Sequence, residues 1–143
     1  MILLDTDVIT LVQRSDSPEG LRIRARILQL PETESPAVTI ITYEEQMRGW
    51  FAKMSQARHL DDQIAVYDRL LQHVANYRQI AVVPFDHHAA MEYERLRNLK
   101  IRIGTSDLCI AAITLSRNAT LVSRNLHDFR KVPGLNVEDW TLP

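Results

Sequence analysis

The chain has a single cysteine, Cys109, in 143 residues. An internal disulfide is therefore excluded, and so is a metal site built on two thiolates. A lone thiol suits a reducing compartment, which makes the cytoplasm the expected location. Long apolar runs are also missing, and none approaches the ~20 residues needed to span a bilayer. Met1 leads straight into Ile2-Leu3-Leu4-Asp5 with no basic segment ahead of a long apolar stretch, so no signal peptide is expected. Neither sign of charge is in excess: 17 basic and 18 acidic side chains leave a formal net charge of −1. A protein that holds nucleic acid by bulk charge is clearly basic, so any contact with nucleic acid must rest on local patches. The five histidines show no metal-ligand spacing. His87 and His88 are adjacent, so on a helix they point apart, towards solvent or a cap. No repeat, linker or low-complexity segment interrupts the sequence, and one domain over residues 1–143 is expected.

What the sequence does contain is alternation. Ile2-Leu3-Leu4, Ala37 to Ile41, Ile80 to Val83 and Thr120-Leu121-Val122 are short, continuously apolar runs, with Leu135-Asn136-Val137 a candidate fifth. Such runs read as buried strands. Between them lie helical patterns: Val8 to Val12, then a helix opened by Pro18-Glu19 with Leu21, Ile27, Leu28 and Leu30 on one face. Others run from a Thr42 cap towards Met54, from His59 to Tyr77, from an Asp86 cap to about Leu99, and from Thr105 to Arg117. In the His59–Tyr77 helix, Ile64, Tyr67, Leu70, Leu71 and Val74 recur at helical spacing and predict an apolar face. Buried strands alternating with amphipathic helices indicate an α/β three-layer sandwich around a central, mainly parallel sheet of four to five strands.

In an open parallel sheet, ligands bind beyond the carboxyl ends of the strands. Asp5 follows the first strand, Glu45 lies in the first turn of the helix after the second, Asp86 follows the third, and Asn125 and Asp128 follow the fourth. Asp107 reaches the same edge by a length argument. Its helix feeds the fourth strand at the bottom of the sheet and spans about 21 Å, roughly the height of the sheet, so it starts at the top. Carboxylates crowded into a partly dry cleft repel one another and favour protonation of at least one. A divalent cation removes that conflict. An all-oxygen site without thiolates suits Mg²⁺ or Mn²⁺, metals that activate water and stabilise leaving oxygens in phosphoryl-transfer chemistry. Each acid also has a purely structural reading. Asp5 and Asp7 can cap the first helix, Thr42-x-x-Glu45 is a capping-box pattern, and Asp107 can complement a helix dipole. Spacing alone leaves both readings open.

Four segments are more specific. Ile2-Leu3-Leu4-Asp5-Thr6-Asp7-Val8, Thr42-Tyr43-Glu44-Glu45-Gln46-Met47-Arg48-Gly49, Asp107-Leu108-Cys109-Ile110-Ala111-Ala112, and Thr120-Leu121-Val122-Ser123-Arg124-Asn125 continuing to Phe129 and Pro133-Gly134-Leu135 follow one another in order over nearly the whole chain. In them the chain resembles PIN-domain nucleases, and more closely the VapC toxins of bacterial toxin–antitoxin pairs. The resemblance implies a PIN-like fold and a Mg²⁺- or Mn²⁺-dependent endoribonuclease that leaves a 3′-hydroxyl and a 5′-phosphate. Asp5, Glu45 and Asp107 carry over as the catalytic, metal-holding triad. Gly49, four residues after Glu45, selects Glu45 over Glu44. At the fourth acidic position Asn125 ranks first, as an orienting or water-binding residue, with Asp128 auxiliary. Asp7 stands where many relatives have Asn, and Gln46 where relatives are usually apolar. The implied partners are RNA, a cognate antitoxin protein and a second copy of the chain in a homodimer.

Arg48 and Arg124 lie near the predicted site and are the candidates for RNA phosphate contacts. Arg22, Arg24 and Arg26 share no stripe on a helix and read as a solvated face. Trp50 and Phe51 are core residues by default, although the resemblance suggests that this surface meets an antitoxin helix or a second subunit. Two rival functions stay open. An aspartate-nucleophile phosphohydrolase would use Asp5-Thr6-Asp7 but also wants a well-placed lysine and a later acidic pair, which are not evident. A phosphate mimic would trap such an enzyme as a covalent adduct. A catalytically inactive PIN-fold binding module predicts that Asp5→Asn changes nothing.

Overall fold

The computed structural model describes residues 1–14 and 16–143. The elements run β1 (Ile2–Leu4), α1 (Thr6–Arg14), α2 (Pro18–Leu28), β2 (Ala37–Thr39), α3 (Ile40–Gln56), α4 (Leu60–Tyr77), β3 (Ala81–Val83), α5 (His87–Asn98), α6 (Thr105–Ser116), β4 (Thr120–Val122), α7 (Leu126–Phe129) and β5 (Asn136–Glu138). The five strands form one sheet in the order β3-β2-β1-β4-β5, and every neighbouring pair is parallel. This is the expected α/β sandwich, with the fifth strand present and shifted one residue towards Glu138.

Because side chains alternate along a strand, β1, β2 and β4 serve both faces. Leu3, Ala37, Val83 and Leu121 pack on one side with Ala89 and Leu96 of α5 and Leu108, Ile110, Ala111, Ala112 and Ile113 of α6. Leu4, Val38 and Val122 pack on the other with Val8 and Ile9 of α1, Ile23 of α2 and Trp140. α6 is apolar all round and is buried at Leu108, Ile110, Ala111, Ala112, Ile113 and Thr114, as a helix enclosed by neighbours on every side should be. It ends in a Schellman motif: Asn118 adopts a left-handed φ of 49°, its N–H donates to Leu115 O at 3.1 Å, and the Ala119 N–H donates to Thr114 O at 3.0 Å. That tight stop turns the chain into β4 within a few residues.

Several expectations need correction. β2 stops at Thr39 rather than Ile41, and Thr39, not Thr42, caps α3: its hydroxyl oxygen accepts from the Thr42 N–H at 3.1 Å. The predicted α2 face also turns: Ile23 is 0% exposed, whereas Leu28 is 85% exposed. The apolar stripe of α4 is not core, since Ile64, Tyr67, Leu71 and Val74 are all exposed, as is Phe51, while Trp50 is half-buried. Arg22, Arg24 and Arg26 are more than a solvated face. Arg22 donates to Thr141 O at 3.0 Å, Arg24 donates to Val12 O at 3.0 Å, and Arg26 lies 5.9 Å from the Trp140 ring centre, so α2 is tied to α1 and to the C-terminal segment. Asp86 caps α5 as expected but leaves the acidic edge. It pairs with Arg117 at 3.3 Å, beside the end of α6 opposite Asp107. Among the described residues, no helix is long and apolar enough to cross a membrane.

Candidate active site

The strand order places the site. The chain lays β1, β2 and β3 in one direction, then returns to put β4 on the other side of β1. At such a reversal the loops leaving adjacent strands part, and a crevice opens at the carboxyl edge. Leu4 pairs with Val122, and the Asp5 N–H donates to Val122 O at 2.9 Å. Asp5 and Ser123 therefore leave the sheet side by side.

Asp5 is 7% exposed. Its Oδ2 accepts from the Ser123 hydroxyl at 2.7 Å, and its Oδ1 accepts from the Thr6 N–H at 2.8 Å. Burial pushes its carboxyl up to about 7; the two hydrogen bonds oppose the rise, and the charges of Asp7 and Asp107 add to it. Asp107, in the first turn of α6, is also raised, by burial first and then by Glu45, Asp128 and Asp7. These acids feel one another, which the structural reading of each as a separate cap does not require.

Glu45 is held from outside its own helix. Its Oε1 accepts from the Thr6 hydroxyl at 2.8 Å, so it links α3 to α1 instead of closing a capping box on Thr42. Asn125 opens α7 and ties the β4 loop to α6. Its Nδ2 donates towards Asp107 Oδ2 at 3.4 Å and to Asp128 Oδ2 at 3.1 Å. Asp5, Asp7, Glu45, Asp107, Arg124 and Asn125, with Thr6, Thr10, Leu11 and Arg14, line one cleft of about 540 Å³. Asp128 does not line it. The amide of Asn125 and the ammonium of Lys131 hold the Asp128 carboxyl below the ordinary range, and it stands behind Asn125, outside the cleft lining.

The two arginines singled out from sequence separate here. Arg124 lines the cleft but is paired with Asp7 at 2.8 Å. Arg48 is paired with Glu44, one turn earlier on α3, and is absent from the cleft lining. Thr6 and Ser123 orient Glu45 and Asp5, a role that no motif in the sequence marks. The available signal was position: each stands directly after a strand or its first acid, but only the β1–β4 pairing shows that they share an edge.

The donor set fits a hard cation. Asp7 Oδ1 is buried without a hydrogen-bond donor, and the carboxylates around it raise the protonation of Asp5 and Asp107. Among the described residues, no three acid, histidine or cysteine side chains already converge on one point. Mg²⁺ tolerates that arrangement because it usually keeps several waters and takes only one or two carboxylates from the protein.

The sequence profile of the PIN domain matches residues 2–135. Ribonuclease VapC1 of Haemophilus influenzae is 27% identical over 143 residues, covering 97% of each chain. A tRNA(fMet)-specific endonuclease VapC of Salmonella typhimurium is 27% identical over 142 residues, covering 96% of each. Among solved structures, that of VapBC-1 from nontypeable Haemophilus influenzae superposes with a TM-score of 0.73 at 26% identity, covering 99% of this chain and 100% of the other. A profile that spans nearly every element lining the cleft settles the family: the chain belongs to the PIN-domain family.

Proposed function

We propose that the chain is a divalent-metal-dependent endoribonuclease and the toxin of a toxin–antitoxin pair. The observation that carries this reading is the single cleft at the β1/β4 crevice that gathers Asp5, Asp7, Glu45, Asp107 and Asn125. Relatives that share nearly the full length are named as ribonucleases, and the similar solved structure is a VapBC assembly, which supports RNA as substrate and an antitoxin as partner.

Asp5, Glu45 and Asp107 are the residues assigned to hold Mg²⁺ or Mn²⁺, which when bound would supply an activated water and countercharge for the leaving oxygen. The chain's own work is orientation. Ser123 and the Thr6 amide fix the two oxygens of Asp5, the Thr6 hydroxyl fixes Glu45, and Asn125 braces Asp107. Asn125 keeps a neutral amide at the cleft wall where a fourth carboxylate would add repulsion. Arg124 balances Asp7. A phosphohydrolase that forms an aspartyl intermediate is disfavoured because no lysine lines the cleft.

The exposed apolar stripe on α4, with Tyr43, Met47 and Phe51 of α3, lines a groove of about 580 Å³. Exposed apolar surface of this kind marks a protein-binding site, and we assign it to a protein partner, the antitoxin or a second copy. The proposed setting is the cytoplasm. The test is product analysis: purified chain with Mn²⁺ should cut single-stranded RNA to fragments bearing 5′-phosphates, which a phosphate-dependent 5′-exonuclease then degrades. Fragments with 5′-hydroxyls would contradict the proposed cut, in which water attacks phosphorus and the 3′-oxygen leaves.

A further inference from the structure

A second depression opens directly beside the acidic cleft. It has a volume of about 360 Å³, lies among α1, α3 and α4, and shares Thr6, Thr10, Arg14 and Glu45 with the cleft. A third, of about 340 Å³, continues it and shares Trp50, Lys53 and Arg69. The three hollows form one track that leads away from the carboxylates.

The chemistry changes along this track. Arg14, Lys53 and Arg69 line its middle. Among the described residues, the ion pairs are Met1–Glu34, Arg48–Glu44, Arg95–Glu92, Arg117–Asp86, Arg124–Asp7 and Lys131–Asp128. None of the three track cations is in them. Arg14 and Arg69 both act on Lys53, whose ammonium is pushed down by burial first and then by their charges. In a chain of net charge −1, three cations outside these ion pairs, set against Glu45 and Asp62 in the same lining, leave the track a net positive local field. Lys53 Nζ lies 4.5 Å from the centre of the Trp50 ring, so an aromatic surface stands within the cationic line. Two further lining residues, Gln13 and His73, each keep a buried side-chain nitrogen with no hydrogen-bond partner. Unpaired cations, an aromatic face and unsatisfied polar nitrogens together describe a groove for a single strand of nucleic acid, where phosphates follow the charge and bases stack.

We propose that single-stranded RNA reaches the acidic cleft along this track, with its phosphates on Arg14, Lys53 and Arg69 and a base against Trp50. The inference rests on the endoribonuclease reading and gives it a substrate form: an unpaired strand of several nucleotides. It also answers the mild acidity of the whole chain, because the positive charge that RNA needs is local. An acidic protein segment is the competing occupant. Continuity with the carboxylate cleft favours RNA, since a strand cut at the cleft must pass over the adjoining surface.

The test is fluorescence anisotropy with a labelled 12-nucleotide single-stranded RNA of mixed sequence, at several NaCl concentrations, in a non-cleaving Asp107→Asn background. The combined Arg14→Ala, Lys53→Ala and Arg69→Ala substitutions should weaken binding at least about tenfold and flatten the salt dependence by a log–log slope of about 2. Trp50→Ala should weaken binding about tenfold with the slope retained. Arg97→Ala, which removes a charge from α5 on the far layer, should leave both unchanged, and an RNA duplex should bind more weakly than the single strand. Thermal melts of each variant exclude unfolding, because these cationic side chains are exposed or half-buried. If the triple variant keeps the wild-type affinity and slope, or if Arg97→Ala weakens binding as much, the track is not an RNA groove and the proposal fails. If the substitutions weaken binding as predicted but the unsubstituted chain cuts no RNA, the track stands and the catalytic reading falls.

Discussion

Asp5 is the residue on which the site turns. Its carboxyl is buried, has two hydrogen bonds, and is pushed from 3.8 up to about 7. The folded state thus holds this proton more tightly than the unfolded chain. The associated stability is fully present below about pH 4 and is lost as pH rises through about 7. The gap corresponds to roughly 4 kcal/mol in the absence of divalent cation. Metal-free protein should therefore melt at a higher temperature at pH 5 than at pH 8, a difference that differential scanning calorimetry would show. Asp5→Asn should flatten that dependence. Added Mg²⁺ should raise the melting temperature more at pH 8, where the carboxyl is ionised. Ser123 acts through Asp5. Removing its hydroxyl removes a bond that favours the charged form, so Ser123→Ala should lower RNA cleavage about 10- to 100-fold. It should also move the rising limb of the pH–rate profile to higher pH, whereas general loosening of the fold would lower the rate without moving that limb.

At the scale of elements, α6 and α4 show what apolar periodicity reports. In α6 the apolar residues are core because α5 and the sheet enclose the helix. In α4 an equally regular stripe faces outward, because periodicity records which residues share a face and not what covers it. The same gap explains α2, where Leu28 and Ile23 are both apolar and only packing distinguishes them. Ile23→Ala should cost about 2–5 kcal/mol of stability, while Leu71→Gln, at a side chain 70% exposed, should stay within about 0.5 kcal/mol. Urea denaturation of the two variants checks both values. A partner's affinity should respond in the opposite order, falling for Leu71→Gln and holding for folded Ile23→Ala. Thr39 ends β2, as its apolar run predicts, and also caps α3; its hydroxyl and that of Thr42 together occupy the β2–α3 junction, a detail that an apolar run does not carry.

At the scale of the whole molecule, strand alternation was readable from apolar runs, and with it the edge on which acids collect. Asp5, Glu45, Asp107 and Asn125 come together there because parallel order puts every strand's carboxyl end on one side. Asp86 shows the limit of that reasoning. It too follows a strand, yet the loop after β3 carries it to the opposite end of α6, where Arg117 takes it. The cationic track was not legible at all. Arg14, Lys53 and Arg69 lie on α1, α3 and α4, far apart in sequence, and only the packing of those helices sets them in one groove. Arg48 and Arg124 are near the acids in sequence, yet both are engaged by carboxylates. The cleft and the track form one surface, acidic at one end and mostly cationic beyond it, which suits the proposed RNA substrate.

The most direct measurement is single-turnover cleavage of a single-stranded RNA by the purified chain as Mg²⁺ is titrated, with Asp107→Asn in parallel. The predicted result is a saturable rise in rate with Mg²⁺, abolished by EDTA, and a loss of at least about 100-fold in the variant while its melting temperature holds. Cleavage that persists in EDTA, or that proceeds at the wild-type rate in Asp107→Asn, would contradict a metal-holding acidic cleft.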